Sequence, residues 1–145
     1  MSIPVGKLIK RSLVTIEAGS SIEDAARLMV RENVGLLVVI HGGSMIGVVS
    51  ERDVVRAIAN GVDLKSPVES IATRNVVTIN VNEPMHKAAE LMHVNNIRHL
   101  VVVDNEGRPI GVVSVRDIVG ESVRLRILAE YSAKEVSEEP MQYAD

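Results

Sequence analysis

A chain of 145 residues, 46% hydrophobic and 24% charged, has the composition of a globular domain with a sizeable core. Its net charge of −3 argues against a broad basic nucleic-acid surface, and two Tyr with no Phe or Trp leave few rings for base stacking. Without cysteine there is no disulfide, thiol nucleophile or thiolate metal site, and with neither a bilayer-length apolar run nor a signal-peptide core, a cytoplasmic protein away from membranes is expected.

In chain order, residues 13–16 are short and β-branched, the mark of a strand. Ser20 and Glu23 then read as a capping box, with Ser20 at N-cap and Glu23 at N3. Ile22, Ala25, Ala26 and Met29 give the apolar stripe of a helix that runs to about Arg31. Residues 34–40 and 46–50 predict two strands joined through His41-Gly42-Gly43-Ser44. Both are near-continuous apolar runs, so both of their faces should be covered. A helix follows over residues 52–59, Asn60-Gly61 ends it, and residues 60–67 form a link.

The pattern then starts again. Val14-Thr15-Ile16 recurs as Val77-Thr78-Ile79, an offset of 63 (77 − 14), and at that offset Ala25-Ala26 meets Ala88-Ala89 and Leu37-Val38-Val39 meets Leu100-Val101-Val102. One residue is inserted in the second hairpin turn, between Asp104 and Pro109, and the offset becomes 64. Ile46-Gly47-Val48-Val49-Ser50 then matches Ile110-Gly111-Val112-Val113-Ser114, and Arg52-Asp53 matches Arg116-Asp117. The second helix begins differently, with Pro84 placed at N1 after Asn82 or Glu83. The fold class expected is α/β (α+β): two pseudo-symmetric β-α-β-β-α units, residues 5–61 and 62–120, packed as one module. Past Gly120 the symmetry stops. Residues 121–134 read as a separate helix with Val123, Ile127, Leu128 and Tyr131 on one side, either a flap over the module's edge or a dimer contact, before an acidic tail that ends the third segment at 145.

Each copy carries Gly-Val-Val-Ser-x-Arg-Asp where a strand hands over to a helix. The plainer reading is a helix cap, with Ser at N-cap and Asp at N3, which by itself stabilises a helix start by about 1 kcal/mol. The same geometry also suits a ligand. Free N–H groups at a helix N-terminus attract an anion, and a carboxylate beside them can accept from both hydroxyls of a ribose. Gly47 and Gly111 allow close approach to the strand.

With Gly47-Val48-Val49-Ser50-Glu51-Arg52-Asp53 and Gly111-Val112-Val113-Ser114-Val115-Arg116-Asp117 in register, and with Asn95-Asn96-Ile97-Arg98-His99-Leu100-Val101-Val102-Val103-Asp104 before the second hairpin, the chain resembles a tandem pair of cystathionine β-synthase (CBS) domains, a Bateman module. The resemblance covers roughly residues 5–120. It implies two clefts between the repeats that take adenosine-containing ligands, each assembled from both repeats. One cleft would pair Ser50 and Asp53 with Asn75, Val77, Arg98 and His99, with Asp53 on the ribose, backbone around Val77 on the adenine edge, Arg98 and His99 on phosphate, and Arg116 as a third cation. The other would pair Ser114 and Asp117 with Ser12, Val14, Gly35 and Leu36, and with Arg52. Gly35-Leu36 stands where Arg98-His99 stands in the second copy, so the two clefts are expected to differ in their taste for phosphate.

Other groups suggest less. His86 and His93 share a helix face without a third metal ligand, His41 sits in a turn, and Met29 and Met92 fill apolar stripes. Lys7, Lys10 and Arg11 form a small basic cluster, most simply a solvated face. Neither serine has a histidine placed to activate it, and Asp53 and Asp117 belong to different clefts, so an enzyme is not expected. The function that follows is a stand-alone regulatory module without catalytic cofactor, binding AMP or alternatively ADP or ATP. It would form a homodimer and signal in trans to a protein partner. The alternatives are a ligand-independent dimeric scaffold and a sensor of S-adenosylmethionine-type ligands.

Overall fold

The computed structural model describes residues 3–10 and 12–137. Strand β1 (Thr15–Glu17), helix α1 (Ile22–Glu32), strands β2 (Leu36–His41) and β3 (Ser44–Ser50) and helix α2 (Glu51–Ala59) make the first half. The same order recurs as β4 (Thr78–Asn80), α3 (Met85–Asn95), β5 (His99–Val103), β6 (Pro109–Ser114) and α4 (Val115–Ser137). Each half is a three-stranded sheet whose middle strand, β2 or β5, runs parallel to the first strand and antiparallel to the third. The parallel pair obliges a crossover, which α1 and α3 supply. Even the register shifts recur, at Val39/Ile40 and at Val102/Val103.

The middle strands have no polar face because they separate two cores. Leu37 and Val39 join Ile22, Ala25, Met29, Val54 and Ala57 under the first pair of helices. Leu100 and Val102 do the same with Ile79, Ala88 and Met92. The alternate residues Leu36, Val38 and Val101 meet in a third core between the sheets, which joins the halves. Period-2 side-chain alternation divides each apolar run between two cores.

The halves are also interlaced. Val5 and Leu8, on a 3-10 turn near the start of the chain (Val5–Leu8), are buried in the second half's core. The Val5 N–H donates to the Glu83 carbonyl at 2.8 Å. Conversely Val68, on the turn Val68–Ser70, is buried in the first half's core, and its N–H donates to the Ser20 carbonyl at 2.7 Å. Val62 and Leu64, in the segment expected as a link, pack against the same core.

Three local expectations are corrected. The N-cap of α1 is Ser21, not Ser20, and Asp24 at N3 completes the box. Ser20 instead offers its carbonyl to Val68, and the Glu23 carboxylate pairs with Arg27 and with Lys65 at 2.9 Å. Pro84 is the N-cap of α3, not its first residue, and the Met85 N–H is satisfied by the Ile3 carbonyl at 2.8 Å. Gly120 does not end a helix: α4 runs through it as one 23-residue helix. A mid-helix glycine costs about 1 kcal/mol, and no proline or left-handed cap follows to turn that cost into a break. Within α4, Val123, Ile127, Leu128 and Tyr131 stay 50–58% exposed, so this part of the helix covers no core and is not a flap. The acidic tail from Glu138 onward lies outside the described residues.

The first hairpin shows why its turn is Gly-Gly. Gly42 and Gly43 have φ of 59° and 80°, the two positive values a two-residue type I′ turn requires. None of the described helices is long and apolar enough to cross a membrane.

Candidate functional site

β3 ends at Ser50 and β6 at Ser114, and in each case the chain turns at once into a helix. Asp53 Oδ2 accepts from the Ser50 N–H at 2.8 Å and from its hydroxyl at 3.0 Å, while Ser50 Oγ accepts from the Asp53 N–H at 3.3 Å. Asp117 repeats this with Ser114 at 2.8, 3.0 and 3.2 Å. The capping arrangement foreseen for these residues is thus complete in both copies. It uses one oxygen of each carboxylate. The other, Oδ1 of Asp53, has the Arg56 guanidinium at 3.6 Å, and Asp53 is only 13% exposed at its side chain.

The segment beyond the link is carried to the first of these junctions by backbone pairing. Val48 and Thr73 exchange N–H···O bonds of 2.9 and 2.8 Å. This is allowed because residue 47 is glycine: a Cβ there would lie 2.7 Å from the Thr73 carbonyl oxygen. Asn75, exposed, and Val77, half-buried, follow directly on that edge. At the second junction a Cβ on Gly111 would meet Ile9 at 2.8 Å, so the chain's first segment packs there. Ser12 is exposed, Val14 is half-buried and accepts from the Val38 N–H at 3.1 Å, and Arg11 lies outside the described residues.

Gly35 and Arg98 occupy matching places. The Gly35 carbonyl accepts from the Glu51 N–H at 3.0 Å, and the Arg98 carbonyl from the Val115 N–H at 2.9 Å. Leu36, buried, lies opposite Ser50, and His99 lies opposite Ser114. The His99 ring reaches across to the first half, where its Nε2 stands 3.1 Å from the point a Gly35 Cβ would occupy. The Glu51 carboxylate crowds the same point. The structure therefore brings the His99 ring to the first junction, beside Gly35 and Glu51, whereas the Arg98 backbone sits at the second junction with Val115 and not in the grouping with Asp53 that the family pattern implied. Arg52 and Arg116 are both exposed. Glu51 was not singled out in the sequence, although a signal existed: it fills the variable position of the Ser-x-Arg-Asp motif, where the second copy has valine.

Burial holds the His99 imidazole below the usual histidine range, with Arg98 adding to the effect and Glu51 and Asp117 opposing it. The folded state therefore binds this proton less readily than the unfolded chain. Stability on this account is full above the unfolded value near 6.5 and falls as pH drops through the lower folded value. A wild-type melting midpoint that falls more between pH 7.5 and pH 5 than that of His99→Gln is the expected result. Equal falls would show that the ring is not the group responsible.

His86 and His93 are exposed, and no group of three or more metal-ligating side chains occurs among the described residues.

The chain matches the CBS domain family over residues 5–60 and 68–124. A CBS domain protein from Pyrobaculum aerophilum, solved with AMP, is 37% identical with a TM-score of 0.80, covering 88% of this chain and 99% of that one. A CBS domain pair solved with 5′-methylthioadenosine and S-adenosyl-L-methionine is 29% identical with a TM-score of 0.75, over 82% of this chain and 94% of that one. An uncharacterized 17.7 kDa protein of Acidianus ambivalens is 32% identical over 119 residues, 81% of this chain and 72% of that protein. Other relatives are far longer: the chain spans 23% of the homoserine O-acetyltransferase of Methanohalobium evestigatum. This chain belongs to the CBS domain family and carries two of its domains in tandem.

Proposed function

We propose that the chain is a regulatory module whose two clefts between the repeats bind adenosine nucleotides, AMP before ADP or ATP. The observation that carries this is the duplicated junction: Asp53 and Asp117 each commit one oxygen to a cap, and the other, which in Asp53 has Arg56 at 3.6 Å, can still accept from a ligand. A free carboxylate oxygen accepts from ribose hydroxyls, and backbone beside Val77 or Val14 offers an adenine edge its partners. Arg98, exposed at the start of β5, suits a phosphate. Related CBS pairs solved with AMP and with S-adenosyl-L-methionine support an adenosine ligand. Regulation follows by linkage: a ligand that touches both repeats favours one geometry of the pair, and a protein partner reads that geometry in trans. Val30, Val55, Ile58 and Val94, exposed on helices, suit a homodimer of modules.

A second reading has its own observation. Because both capping boxes are complete without any ligand, the Ser–Asp pairs could serve only the helices of a dimeric scaffold. A thermal-shift panel with AMP, ADP, ATP, S-adenosylmethionine and NADH at matched concentrations separates the two. Binding to the native state raises the midpoint in proportion to the logarithm of ligand over Kd, so a rise selective for AMP is expected. No rise with any of the five would leave the scaffold.

A further inference from the structure

The two halves differ in charge at one pair of equivalent places. In each, the first helical residue after the Ser cap donates its N–H to the carbonyl of the residue just before the middle strand, Glu51 to Gly35 and Val115 to Arg98. One place therefore holds a carboxylate and no second side chain. The other holds a guanidinium and an isopropyl group. Arg52 and Arg116 are equivalent and both exposed, so they do not offset this difference. The absence of a Gly35 side chain admits the His99 ring from the other half, and this ring and the Glu51 carboxylate crowd one point. Asp117 contributes a second carboxylate to the surroundings of that ring, and burial disfavours a compensating charge on the imidazole.

We propose that the two clefts sort adenosine ligands by the charge of the 5′ substituent. The Arg98 place takes a 5′-phosphate, and the Glu51–His99 place takes an uncharged or cationic substituent such as a thioether or sulfonium. This rests on the adenosine-binding reading above. A carboxylate only accepts hydrogen bonds and cannot pair with a phosphate oxygen, and at a few ångströms a single like charge lowers affinity about tenfold in a partly solvated cleft. A guanidinium does the reverse, with donors matched to phosphate.

The test is calorimetric titration of the full chain with AMP and with 5′-methylthioadenosine, using wild type, Glu51→Gln and Val115→Glu. Glu51 and Val115 are both exposed first-turn residues, so neither change touches the core. Wild type should bind one AMP per chain tightly and still accept 5′-methylthioadenosine once that first AMP step is complete. Glu51→Gln should make the second AMP step about tenfold tighter, and Val115→Glu, which sets a carboxylate beside Arg98, should weaken the first step by a similar factor. Two equal AMP steps in wild type, or variants with unchanged AMP steps, would overturn the sorting while leaving the adenosine reading intact. Binding of neither ligand overturns both.

Discussion

Asp117→Asn is expected to weaken AMP binding about 10- to 100-fold while shifting unfolding free energy by less than about 1 kcal/mol. The two effects separate because the proposed role gives the two carboxylate oxygens separate duties. Oδ2 closes the cap on the Ser114 N–H and hydroxyl, and an asparagine oxygen can still accept the N–H there. What the variant loses is the charged acceptor left for ribose, and hydrogen bonds to charged groups are the stronger ones. Titration calorimetry beside a denaturant melt reads both quantities on one preparation. Full AMP affinity in the variant would demote Asp117 to a cap. A loss of stability matching the loss of affinity would also count against a ligand role, since it would place the damage in the helix.

Leu100→Ala should destabilise the whole chain by about 2–5 kcal/mol, in one transition. Leu100 is fully buried at the centre of the second half's core, beside Val5, Leu8, Ile79, Ala88 and Met92. Deleting its branch leaves a cavity that neighbours held in the second sheet, helix α3 and the first 3-10 turn cannot close. The transition should stay single because neither half is closed by its own residues. Val5 and Leu8 seal the second core, Val68 seals the first, and Leu36, Val38 and Val101 pack between the sheets. Val30→Ala, at a residue 83% exposed, is the control and should change little. A biphasic melt of Leu100→Ala, with one half surviving the other, would contradict the interlaced core.

Much of this was legible in the residues. Duplication announced the two units, and an apolar run without alternation announced a strand covered on both faces, as β2 and β5 are. The family, its pairwise pattern and the residues at both strand-to-helix junctions were also readable. The errors came where a local signal had two equivalent candidates. Ser20 and Ser21 are both competent caps, and the choice fell to Ser21 because the distant Val68 claims the Ser20 carbonyl. Gly120 looked like a stop because glycine often is one, yet a helix with favourable residues on both sides carries it.

Periodicity, turn chemistry and internal repetition are properties of near neighbours along the chain, and they determined the elements, their order and the two-fold plan. Which segments exchange partners was decided only by the tertiary structure. The start of the chain enters the second core, Thr73 pairs with Val48, and His99 crosses to Gly35 and Glu51. Such contacts join residues tens of positions apart, and they are selected by the free energy of closing a shared core, which no short stretch of sequence contains.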